Sequence, residues 1–157
     1  MSAAPEAAMR REVNLTRVVD APVELVWAAW TDPRHMAQWW GPKGFTNPVC
    51  ELDLRQGGAI RIHMRGPDGT IYPMTGTFEE IVPPERLVFT SVARDTDGKP
   101  LLEGHNIITF EDVGGKTKVT VLSRAVGLVP IAAQMLAGME AGWTQSLERL
   151  AELAEGR

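Results

Sequence analysis

Residues 59–82 read AIRIHMRGPDGTIYPMTGTFEEIV. In the first seven, Ile60, Ile62 and Met64 alternate with Arg61, His63 and Arg65. Successive side chains of a β-strand point to opposite faces, so this segment is a strand with one buried and one wet face. Gly66-Pro67-Asp68-Gly69 is turn chemistry, and residues 70–82 resume as a second strand. Neighbouring strands joined this tightly run antiparallel.

The same pattern continues in both directions. Turn signals recur at Gly57-Gly58, Pro83-Pro84, Asp97-Gly98 and Gly114-Gly115. They delimit strand-length segments at 45–54, 59–65, 70–82, 86–94, 104–112 and 116–124, an antiparallel meander. Upstream, residues 13–19 (VNLTRVV) read as a first strand. Asp20-Ala21-Pro22 then opens a helix carrying Val23, Val26, Trp27 and Trp30 on one face. Asp32-Pro33 starts a second short helix, which Gly41-Pro42 ends. Downstream, one helix is expected from Pro130 to Ala154, roughly 37 Å long. Its apolar stripe is Ile131, Met135, Met139, Trp143, Leu147, Leu150 and Leu153. Gly138 and Gly142 each cost a helix about 1 kcal/mol against alanine. Beside Met135, Met139 and Trp143 they point to close approach or spare room.

The order is β, α, α, six β, long α. A curved antiparallel sheet of about seven strands has one face to cover, and only the C-terminal helix is long enough to lie across it. The two short helices between strands 1 and 2 plug one end. A sheet gripping a helix with a gap between them is a container.

Composition narrows the function. The chain has 157 residues, 44% hydrophobic and 23% charged, the balance of one ordinary globular domain. That domain is expected over 13–155, behind a disordered lead-in at 1–12. A lone cysteine, Cys50, excludes an internal disulfide and an all-cysteine zinc site. A net charge of -4 argues against nucleic acid as a partner. No apolar run approaches the ~18 residues of a membrane span. Residues 1–9 (MSAAPEAAM) lack the apolar core of an export signal, so the cytoplasm is the expected compartment.

Several stretches together resemble a known family. They are Ala21-Pro22 with Val26-Trp27, Trp39-Trp40-Gly41-Pro42, Gly57-Gly58 and Pro67-Asp68-Gly69. Further along come Gly76-Thr77-Phe78-Glu79-Glu80-Ile81, Pro84-Glu85-Arg86-Leu87-Val88, Phe110 with Gly114-Gly115-Lys116-Thr117, and Gly142-Trp143 with Leu147 and Leu150. In this order, over about 13–153, they resemble the START-like (birch-pollen-allergen-like, SRPBCC) superfamily. Within it they are most similar to the family named for an activator of a heat-shock chaperone ATPase. The resemblance implies an α+β helix-grip fold, a sheet wrapped around the C-terminal helix. It also implies one of three roles: ligand carrier, chaperone regulator or polyketide cyclase-like enzyme.

The candidate site follows from the container. Met135, Met139 and Trp143 either fill the core or line a cavity with Met64, Tyr72 and Met74 from the strands. Trp40 is a rim or gate, unless it and Trp39 only pack the short helices. Tyr72 supplies a hydroxyl. Asn106 shares a face with Ile108 and Phe110 and is the expected inward polar group, with His105 outward. His35, His63 and His105 show no metal-ligand spacing, and no nucleophile elbow, zinc helix or phosphate loop is present. Glu79 and Glu80, as adjacent strand residues, are expected on opposite faces. The expected function is non-enzymatic binding of a small apolar or amphipathic molecule by Trp40, Met64, Tyr72, Met74, Asn106, Met135, Met139 and Trp143. No cofactor or metal is expected, and an edge strand leaves a homodimer open.

Overall fold

The computed structural model describes residues 9–156. Its elements are β1 (Arg10–Val19), α1 (Val23–Thr31), α2 (Pro33–Trp39), β2 (Thr46–Leu52), β3 (Ala59–Arg65) and β4 (Ile71–Val82). They continue with β5 (Arg86–Arg94), β6 (Pro100–Val113), β7 (Lys116–Gly127), α3 (Ala132–Ala137) and α4 (Met139–Ala154). The seven strands form one curved antiparallel sheet in the order β1-β7-β6-β5-β4-β3-β2. Strands β2 to β7 follow one another as a meander. The first strand returns to pair with the last, leaving β1 and β2 as the edges. This is the expected α+β helix-grip architecture.

Local chemistry sets the element ends. Asp32 caps α2 by accepting the Arg34 N–H at 2.9 Å, with Pro33 behind it. The Arg34 side chain and backbone bond to Asp32 and hold its carboxyl below the ordinary carboxylate value. Pro22 sits one position earlier than expected, at the cap of α1 rather than inside it.

Three expectations need correction. Strand β1 begins at Arg10 rather than Val13, because β7 extends to Gly127 and pairs with those extra residues. The rest of the expected lead-in, residues 1–8, lies outside the described residues. The single C-terminal helix is two. At Gly138 the backbone stands at φ -88°, ψ -1°, well off helical ψ. The Arg11 guanidinium donates to the Leu136 and Ala137 carbonyls at 2.8 and 3.0 Å, replacing the helix bonds they would otherwise accept. Ile131, expected in the apolar stripe, is 58% exposed, and Leu136 is buried on α3 instead. Finally, a β-bulge between Phe78 and Glu80 puts Glu79 and Glu80 on the same outer face. There Glu79 meets His105 and Glu80 meets Arg86.

The core occupies one half of the sheet's inner face. Leu87, Phe89, Ile108, Phe110, Val119 and Val121 are buried there under α1, α2 and the C-terminal half of α4. Trp30 is the hub. Its ring centroid lies 4.7 Å from Trp39, 6.0 Å from Phe110 and 6.3 Å from Trp143. Cys50 packs at the edge of this cluster, and burial pushes its thiol up to about 11, so it stays protonated at neutral pH.

Candidate functional site

The other half of the inner face is built from small residues. Strand pairing sets Phe89 beside Asn106 and Asn106 beside Ser123. One pair further along, Ser91 faces Gly104 and Gly104 faces Ala125, and beyond them lies Ala93. Phe, Ile and Val at one end of these strands thus give way to Ser, Ala and Gly at the other. The helix above changes in step. Leu147, Leu150 and Ala151 are buried against the core, while Met139, Gly142, Trp143 and Ser146 face the small residues. Side chains too short to meet leave a gap, here a cavity of about 500 Å³. That is the size range of small-molecule pockets.

All eight expected residues line this cavity: Trp40, Met64, Tyr72, Met74, Asn106, Met135, Met139 and Trp143. Met64, Tyr72 and Met74 come from β3 and β4, Met135 from α3, and Met139 and Trp143 from α4. Tyr72 is 42% exposed and Ile131 lies on the same lining, so both belong to the mouth. Four of the chain's seven methionines are present, an adaptable, polarizable wall.

Polarity concentrates on the floor. Asn106 is only 2% exposed. Its Nδ2 donates to the Phe89 carbonyl at 3.3 Å and to Ser91 Oγ at 3.1 Å, and its Oδ1 accepts from Ser123 Oγ at 2.6 Å. Ser146 looks in from α4. The hydrophobic pattern did not single out these serines or the neighbouring small residues. Their signal was there in the alternation, with Ser91/Ala93, Gly104/Asn106 and Ser123/Ala125 all at inward positions.

One end wall is held by a long-range clamp. The Arg149 guanidinium donates to the carbonyls of Trp40, Gly41 and Pro42 at 3.0 to 3.1 Å and of Gln38 at 3.0 Å. Asn47 Nδ2 adds bonds to the Trp40 and Ala37 carbonyls. The Lys43 N–H bonds to Gln145, and its ammonium lies 2.7 Å from Glu148. These bonds set the Trp40 ring 5.6 Å from Trp143, edge to face. Gly41 is required in this loop. Its φ is +94°, and a Cβ would come within 2.7 Å of Met64 Sδ.

Other candidates fall outside. His105 lies on the outer face, Nε2 2.9 Å from Glu79 Oε1. Among the described residues no cluster of His, Cys, Asp or Glu could hold a metal, and no helix is long and apolar enough to cross a membrane.

Residues 20–155 match the model of the family described as "Activator of Hsp90 ATPase homolog 1-like protein". No curated protein matches the chain. Among solved structures, a protein from Chromobacterium violaceum is 30% identical with a TM-score of 0.76, over 92% of this chain and 96% of that one. A protein from Arthrobacter aurescens is 28% identical with a TM-score of 0.80, over 96% and 88%. An AHSA1 protein from Silicibacter pomeroyi is 28% identical with a TM-score of 0.75, over 94% and 100%. With the model covering most of its length, the chain belongs to the family of activator of Hsp90 ATPase homolog 1-like proteins.

Proposed function

We propose that this protein binds a small, largely apolar molecule in the cavity between the sheet and helices α3 and α4. The observation that carries this reading is the cavity itself, about 500 Å³ and walled by methionines and tryptophans around one small polar floor. Desolvating an apolar ligand among these side chains supplies affinity, and the floor sets its orientation. Among the described residues the lining offers hydroxyls, the carboxamides of Asn106 and Gln134 and one arginine, Arg94, but no carboxylate, imidazole, thiol or amine. That set favours holding a ligand over acid–base chemistry on it.

Filling the cavity tests the reading. Gly142 lies on the lining, and a Cβ there would meet only Pro42, at 3.9 Å. Gly142→Leu therefore places a branched side chain into the gap while removing a poor helix former. Unfolding free energy is expected to hold or rise by up to about 1 kcal/mol. Uptake of the neutral fluorophore N-phenyl-1-naphthylamine is expected to weaken at least tenfold, measured by fluorescence titration. Equal uptake by both proteins would place the dye elsewhere.

A second reading rests on the family description, which names an activator of a chaperone ATPase. Under it the fold presents a surface to that chaperone. A stimulated chaperone ATPase rate on addition of the purified protein would favour it; an unchanged rate would remove it.

A further inference from the structure

The hydrogen-bond directions on the cavity floor define one end of the ligand, an inference that rests on the binding reading above. A carbonyl only accepts, so the Asn106 atom facing Phe89 O at 3.3 Å is Nδ2. The other Nδ2 hydrogen goes to Ser91 Oγ at 3.1 Å. Oδ1 is left facing Ser123, whose hydroxyl, 2.6 Å away, must donate to it. The free capacity of the two serines follows. Ser91 has accepted a proton and still has its own to give. Ser123 has given its proton and keeps lone pairs. Across the cavity Ser146 is 5% exposed, and its hydroxyl has no hydrogen-bond partner among the described residues.

We propose that the cavity selects an uncharged ligand whose buried end both accepts and donates a hydrogen bond, namely a hydroxyl, a phenol or a carboxamide. Such a group takes the Ser91 proton and gives its own to Ser123 or Asn106. A ketone or ether fills only the first role. A hydrocarbon fills neither and strands buried polar groups. Charge is disfavoured for a separate reason. Among the described residues of the lining only Arg94 is charged, and its guanidinium is turned away from the floor. Nε donates to Thr75 Oγ1, which by alternation from the inward Met74 lies on the outer face of β4, and Nη1 donates to the Gly98 carbonyl, both at 2.9 Å. A carboxylate or ammonium on the floor would be desolvated against Asn106, Ser91 and Ser123, none of which carries a charge.

Competition against N-phenyl-1-naphthylamine tests this with four molecules of one shape: 2-naphthol, 2-methoxynaphthalene, 2-methylnaphthalene and 2-naphthoate at neutral pH. Partition out of water alone favours the hydrocarbon over the phenol, so the floor must reverse that order. The expected result is displacement by 2-naphthol at about tenfold lower concentration than by 2-methylnaphthalene, the gap of roughly one well-made buried hydrogen bond. The methoxy compound falls between them and the naphthoate is weakest. Ser91→Ala narrows the gap several-fold, with thermal unfolding showing that the variant is folded. If that variant does not fold, the order in the native protein decides alone. A native protein that takes up the dye but prefers the hydrocarbon or the naphthoate overturns the polar-end assignment and leaves the cavity reading standing. A native protein that takes up no dye overturns both.

Discussion

Trp30→Ala is expected to lower the unfolding free energy by about 4 kcal/mol, the usual cost of deleting a large aromatic from a core. The Trp30 ring is fully buried and touches Trp39, Trp40, Phe110 and Trp143. Two of those, Trp40 and Trp143, form the back of the cavity. The void would thus open between the core and the site, where neither side can close it without shifting the other. Trp30→Phe should cost less than half as much. It loses volume, but it also removes the indole N–H, which is buried with no hydrogen-bond partner among the described residues. Urea unfolding of the three proteins measures both differences. A Trp30→Phe variant as unstable as Trp30→Ala would show that neither the retained ring volume nor the relief of the indole N–H counts, and that only the full indole shape satisfies the site.

Arg149→Met is expected to cost about 3 kcal/mol, although it keeps most of the apolar stem and puts no polar group in the core. The loss is in donors. The carbonyls of Gln38 and Gly41 lose the guanidinium, that of Pro42 keeps only the Phe45 N–H and that of Trp40 keeps only Asn47. Burial pulls the guanidinium's proton affinity below the ordinary arginine value, with Glu152 opposing. The side chain nonetheless remains a cation at neutral pH. Arg149→Lys keeps that charge but concentrates its donors on one atom, which cannot serve carbonyls on both sides of the loop. It should recover less than half of the loss. Full recovery by lysine would mean that charge, rather than the fork of donors, holds the Trp40 loop. The melting temperature reads the result, a drop on the order of 10 °C for a domain of this size.

The strands were legible because a half-buried strand writes its faces into alternate residues. Ile60, Ile62 and Met64 against Arg61, His63 and Arg65 suffice for β3, and turn residues bound the others within a few positions. The eight lining residues were legible for a related reason. Methionine, tryptophan and an inward asparagine mark where a sheet and a helix face each other. What was hidden depends on distant partners. The helix break at Gly138 needs Arg11, 125 residues from Leu136 in sequence, to take over its carbonyls. The clamp on Trp40 needs Arg149, 109 residues away. The shared outer face of Glu79 and Glu80 needs a bulge that period-two reasoning assumes away. The cavity volume was hidden in a different sense. It arises from residues that do little by themselves, Ser91, Ala93, Gly104 and Ala125, brought side by side only by the register of β5, β6 and β7.

The central claim is that a ligand enters between the sheet and helices α3 and α4. The most direct test is the methyl spectrum of protein labelled with carbon-13 at its methionine methyls, recorded as 2-naphthol is added. Met64, Met74, Met135 and Met139 line the cavity, while Met36 is buried in the tryptophan core and Met9 precedes β1. Ring currents from a bound naphthalene should shift the four cavity methyls in saturable fashion and leave Met9 and Met36 in place. Four unmoved cavity methyls, or equal shifts at Met36, would contradict the account.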